Sequence, residues 1–153
     1  MKSQWLNEAE QQSWRNFIVT VHDLTTALET DLAPQGLTMG DYEVLVWLSE
    51  AEHDRMRMCD LAGKLQLSPS GLTRRLDGLV KSGWVDRASC SSDRRVMYAH
   101  LTDTGRAKMI SAAPHHVASV RRHVIDPLGA EGMAQLGDLF GRIRAHLLEL
   151  QPV

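Results

Sequence analysis

A mainly α-helical domain carrying one small β-ribbon is the fold class this sequence predicts, and three observations predict it. Apolar residues recur every three or four positions through both ends of the chain, the period of a one-sided helix. Two short runs of strand character flank a polar loop in the middle, as in a hairpin. Before that hairpin stand two short helical segments in close succession, the second opened by Ser68-Pro69.

Composition allows one such domain. With 153 residues, 43% hydrophobic and 24% charged, the chain has enough apolar surface for one core and too little length for two comfortable ones. No stretch approaches the roughly 18 consecutive apolar residues of a membrane span. The opening MKSQWLNEAEQQSW lacks the apolar core of a secretory signal, so the expectation is a cytoplasmic protein with no membrane partner. Two cysteines, Cys59 and Cys90, make no disulfide framework.

The elements follow in order. Trp14, Phe17, Ile18, Val21, Leu24, Leu28 and Leu32 fall on one helical stripe that Pro34 and Gly36 end. Thr38 caps a second helix with Tyr42, Leu45, Val46 and Trp47 on its buried side. EAEHDRMRM breaks the pattern, and its last residues read as a short strand before a helix starts near Cys59, with Leu61, Ala62 and Leu65 inward. Ser68 caps free N–H groups and Pro69 suits a first helical turn, where it loses no hydrogen bond, so a helix runs from there to Ser82 and stops at Gly83. Trp84, Val85 and Arg87 form one strand and Val96 to Leu101 its partner, joined by the loop Ser89 to Arg95. Thr102 caps a long helix that Pro114 should kink and that Pro127 and Gly129 finish. A last helix carries Met133, Leu136, Phe140, Ile143, Leu147 and Leu150.

Charge is segregated along this order. The formal net charge is -2, yet residues 1–54 hold ten acids and two bases, residues 55–109 eleven bases and five acids, and the remainder four of each. A basic lobe beside an acidic segment is the layout expected when one lobe faces phosphates.

Short helix, turn, capped helix, hairpin is the order of a helix-turn-helix followed by a wing. On a wheel of about 100° per residue, Leu72, Leu76, Leu79 and Val80 fall on one side of the capped helix. Ser70, Thr73, Arg74, Asp77 and Lys81 fall on the other. A helix entering a major groove needs this division of packed back and donor-bearing front. The same division serves any amphipathic surface helix, and the hairpin tips the balance. Its tip holds Asp93-Arg94-Arg95, two guanidiniums that gain nothing from packing, whereas a narrow minor groove rewards one of them. The candidate contacts are therefore Ser68, Ser70, Thr73, Arg74, Arg75 and Lys81 on the helix, Arg87 on the first strand, and Asp93, Arg94 and Arg95 at the tip.

At these residues the sequence resembles the MarR family of bacterial transcription regulators. The strand, the Asp93-Arg94-Arg95 tip and the return through Leu101-Thr102-Asp103-Thr104-Gly105 are similar to that family's wing signature; Ser68 to Leu79 resembles its recognition helix and Gly83-Trp84-Val85 its turn into the wing. The resemblance implies a single winged helix-turn-helix domain over 1–153, mainly α with a two- or three-stranded wing sheet. Within it, residues 38–101 form the DNA-binding lobe, and 5–33 and 102–150 the N- and C-terminal dimerisation helices. It implies a homodimer on a palindromic duplex operator, acting as a repressor and modulated by a phenolic or other small aromatic ligand. Long apolar helices at both ends argue independently for a partner copy.

Candidates for the effector are Trp14, Phe17, His22, Tyr42, Trp47 and Met58, although core packing accounts for most of them. His115, His116 and His123 lack a companion set for a tetrahedral metal site, so no metal or cofactor is expected. Cys90, among Arg87, Arg94 and Arg95, offers an alternative as an oxidation sensor, while Cys59 is expected to pack. A winged-helix module used for protein assembly alone is the other alternative. No phosphate loop, nucleophile elbow or HExxH points to an enzyme.

Overall fold

Asn7 and Glu10 begin the first helix by capping each other: the Glu10 N–H donates to Asn7 Oδ1 (2.9 Å) and the Asn7 N–H to Glu10 Oε2 (2.8 Å). The computed structural model describes residues 5–89 and 95–150. α1 (Glu8–Leu32) therefore starts two turns before the apolar stripe that announced it. It ends through a short 3₁₀ turn at Ala33–Gln35 and Gly36, whose φ of 67° suits glycine. A second reciprocal cap, between Thr38 and Asp41, opens α2 (Met39–Ser49), which buries Tyr42, Val44, Leu45 and Leu48.

His53 and Asp54 both take positive φ, turning the chain into β1 (Arg55–Arg57). α3 (Met58–Lys64) follows directly, then α4 (Pro69–Lys81), capped by the Ser68 hydroxyl, which accepts from the Gly71 N–H at 3.1 Å. α4 closes at Gly83, with φ 72°, where the Gly83 and Trp84 N–H groups return to the Val80 and Leu79 carbonyls. β2 (Val85–Ser89) and β3 (Met97–Leu101) form the hairpin, and β1 adds to its far side, giving an antiparallel sheet of order β1-β3-β2. The sheet has three strands, the larger of the two expected sizes.

Thr102 then locks the hairpin's root. Its hydroxyl and that of Thr104 both donate to the Gly83 carbonyl at 2.7 Å, and its backbone N–H donates to the Trp84 carbonyl at 3.1 Å. The Gly105 N–H donates to the Thr102 hydroxyl, so the same side chain caps α5 (Asp103–Val120). Gly105 sits so close to the Trp84 carbonyl that an added Cβ would collide with it.

α5 continues through Pro114. Pro127 does not end the helical run as expected: a π-helical turn at Arg121–Ile125 leads straight into α6 (Asp126–Glu149), with Pro127 in its first turn. The backbone breaks at Gly129, the other residue expected to finish the helix, whose φ of 63° and ψ of -177° belong to glycine.

The chain divides into two units, one ending at His116 and one beginning at Val117. The core of the first joins α2, α3, α4 and the sheet through Leu45, Leu48, Leu61, Leu72, Leu76 and Val85, each at most 1% exposed. In the second, α6 leaves Leu139, Phe140, Ile143, Leu147 and Leu148 uncovered. Two further expectations need correction. Cys59 is exposed rather than packed, because it lies on the outer side of a seven-residue helix whose buried pair is Leu61 and Ala62. Val80 stays 37% exposed, since the stripe through Leu72, Leu76 and Leu79 already fills the seam.

Candidate nucleic-acid interface

α4 is held from behind by three leucines, which fixes what its other side can present. Ser68, Ser70, Thr73, Arg74, Asp77 and Lys81 are all exposed. At the helix start the Ser68 and Ser70 hydroxyls lie 3.2 Å apart, and the Thr73 hydroxyl donates back to the Pro69 carbonyl at 2.9 Å. Arg74 and Lys81 have no hydrogen-bond or ion-pair partner among the described residues, so both cations project from the helix uncommitted.

Two more arginines of the sequence-derived set, Arg75 and Arg87, are engaged internally. Arg75 turns toward the start of α2, donating from Nη1 to the Thr38 hydroxyl (3.3 Å) and standing 3.7 Å from Asp41 Oδ1. Its guanidinium occupies the space a Cβ on Gly40 would need. Arg87 donates from Nη2 to the Thr73 carbonyl and forms an ion pair through the same nitrogen with Asp77 Oδ1, both at 2.8 Å, while its Nε is buried without a partner among the described residues. Both positions gave a signal in the sequence: Arg75 adjoins the buried Leu76, and Arg87 shares the inward face of β2 with Val85, two residues before it.

Other cations of the basic segment are also occupied. Arg106 pairs with Asp54, tying α5 to the turn before β1. Lys64 lies over the Trp47 ring (4.9 Å) and Lys108 over that of Trp84 (5.3 Å). Arg55 stands over the Tyr98 ring at 5.2 Å, and the Arg57 Nε donates to the Tyr98 hydroxyl at 3.3 Å, a contact that raises the pKa of that guanidinium. Arg95 is exposed at the end of the wing loop; Cys90, Asp93 and Arg94 lie outside the described residues.

The effector candidates do not converge. Trp14 and His22 are exposed on α1, and Phe17 is half-buried with its ring 5.7 Å from that of Trp14. Trp47 is half-buried beneath Lys64. Met58 lines a groove of about 420 Å³ with Cys59, Leu72, Thr73 and Met97. Tyr42 is buried, with its ring 4.8 Å from that of His116 on α5, a partner that sequence reasoning set aside as a metal candidate. Burial lowers the His116 pKa, with Glu43 opposing, and raises that of Tyr42. The His116 Nδ1 is buried and has no partner among the described residues. Among those residues no cluster of histidine, cysteine and carboxylate side chains is placed to hold a metal ion, and no helix is long and apolar enough to cross a membrane.

Residues 37–97, spanning α2 to the start of β3, match the MarR family. The chain is 46% identical to AbsC, a MarR family transcriptional regulator from Streptomyces coelicolor; the TM-score is 0.90, over 96% of this chain and 99% of that one. It is 36% identical to Sco3205, a MarR family regulator of the same organism solved in complex with DNA, with a TM-score of 0.89 over 97% of this chain and 92% of that one. With the transcriptional repressor YetL of Bacillus subtilis it shares 29% identity over 119 residues, which are 76% of this chain and 71% of that protein.

Proposed function

The chain belongs to the MarR family of winged-helix transcriptional regulators, and from that premise we propose how it engages its operator and what controls it. It is a DNA-binding transcriptional regulator and not an enzyme. α4 enters the major groove, with Ser68, Ser70, Thr73, Arg74 and Lys81 toward bases and phosphates. Arg94 or Arg95 enters the minor groove, with Asp93 orienting one of them. The observation that carries this reading is the division of α4 into a leucine back at most 1% exposed and a front whose Arg74 and Lys81 have no partner among the described residues. Arg75 and Arg87, with partners inside the fold, act from behind that front.

The protein works as a homodimer in the cytoplasm and represses its target. Supporting the dimer, α1 leaves Trp14, Ile18 and Val21 exposed and α6 leaves Leu139, Phe140, Ile143 and Leu147 exposed, apolar faces of the kind a second copy covers. A small aromatic effector releases it. The buried His116 Nδ1 beside Tyr42 supports such a ligand, because an unpaired buried polar atom gains from any hydrogen-bond partner brought to it.

Selection of binding sites from a random duplex pool tests the central reading. The expected result is a two-fold symmetric consensus with half-sites about one duplex turn apart and an affinity that falls steeply with salt. An unenriched pool, or binding indifferent to salt, overturns it.

A further inference from the structure

We infer that Arg87 is a positioning residue that joins the wing to α4 and so sets which side chains of α4 meet DNA, rather than a group that touches DNA itself. The inference rests on the DNA-binding reading above and deepens it. Sheet register supplies the first argument. Arg87 is paired with Ala99, and Val85 with Leu101. Ala99 and Val85 are fully buried and Leu101 is 9% exposed, so alternation sends the Arg87 side chain inward with them, toward α4.

Its contacts supply the second. One guanidinium nitrogen reaches both the Thr73 carbonyl and the Asp77 carboxylate at 2.8 Å, acceptors one helical turn apart on α4. A carbonyl has two lone pairs, so Thr73 can accept from Arg87 as well as from its own helix. Two acceptors at fixed spacing on a helix, held by a side chain rooted on a strand, constrain rotation and sliding of α4 against the ribbon. Leucine packing alone is less directional. To reach a phosphate, Arg87 would have to abandon both contacts.

Charge supplies the third argument. Asp77 is the one acid in α4, and it stands on the exposed face beside Arg74 and Lys81, where a bare carboxylate repels phosphate. Pairing with Arg87 neutralises it and makes it a tether. The same pairing removes Arg87 from the count of cations that release counterions on binding DNA.

Four variants test this: the single variants Arg87→Gln, Arg87→Lys and Asp77→Asn, and the double variant Arg87→Gln/Asp77→Asn. The probes are the duplex that wild-type protein selects from a random pool and a scrambled duplex of the same composition, titrated over a range of salt. If Arg87 positions α4, Arg87→Gln narrows the ratio of the two affinities by roughly three- to tenfold and leaves the salt slope unchanged. Lysine, which lacks the planar fork, does not rescue. Asp77→Asn narrows the ratio similarly, and the double variant loses no more than either single one. If Arg87 touches phosphate instead, Arg87→Gln lowers the slope by about one per protomer, lysine restores it and the two losses add; that result overturns the inference. Should Arg87→Gln fail to fold by circular dichroism, Asp77→Asn, which keeps the side-chain shape, carries the same comparison. A wild-type protein that does not distinguish the two duplexes overturns the DNA-binding reading itself.

Discussion

His116 carries a titratable ring on α5 that folding places 4.8 Å from the Tyr42 ring, and burial there lowers its pKa from the usual 6.5. A histidine with a depressed folded pKa takes up its proton in the unfolded chain first, so stability declines as pH falls through 6.5 and the cost is complete below the folded value. Glu43, the acid facing it from α2, offsets part of this. Thermal unfolding between pH 7.5 and 5.5 should show a falling midpoint, and His116→Gln should flatten the fall; an unchanged slope in the variant would assign it to other groups. Histidine periodicity alone could not reveal this residue, because its partner is 74 positions away in the sequence. Arg75 and Arg87 teach the same lesson with the opposite sign. Each reads locally as a cation for an anion, and each finds a carboxylate inside the fold, Asp41 for one and Asp77 for the other. Arg74 and Lys81, whose neighbours in the sequence place them on the solvent side, were legible without coordinates.

Helix ends are the best-marked features of this sequence, because a cap is a short-range hydrogen bond written into adjacent residues. Thr38, Ser68 and Thr102 each cap as expected, and Gly83 ends α4. The start of α1 lies ahead of its apolar stripe, and its local signal is the Asn7-Glu10 spacing. The pairing of β1 with β3 and the π turn before α6 have no such signal: both depend on tertiary contacts or on a single extra backbone register, neither of which leaves a residue pattern. Gly105 belongs with the legible features, since the Leu-Thr-x-x-Gly run marks it. The structure adds the cause, close approach of α5 to the Trp84 carbonyl. That carbonyl is backbone and cannot rotate aside. Gly105→Ala should therefore destabilise the protein by about 1–3 kcal/mol of overpacking, outweighing the helix-propensity gain of up to about 1 kcal/mol. Urea unfolding measures the balance, and a stabilised variant would contradict the close approach.

Across the molecule, charge serves the fold as well as the surface. The basic segment is basic partly for internal reasons, since Arg75, Arg87 and Arg106 serve as ties within the fold. The apolar faces of α1 and α6 were readable as stripes, and what covers them is the dimer proposal. Light scattering should give about twice the 17.1 kDa chain mass, and Leu147→Asp, which sets a charge on the exposed face of α6, should shift it toward one chain. A wild-type monomer at micromolar concentration would count against the dimer. The threonine pair on the Gly83 carbonyl has a consequence for how such proteins diversify. With the base of the hairpin stapled to the exit of one helix and the entrance of the next, residues can be gained or lost at its distal end at little entropic cost while both helices keep their seats. Evolution, or an engineer, can thus vary the length of this finger independently of the helix beside it.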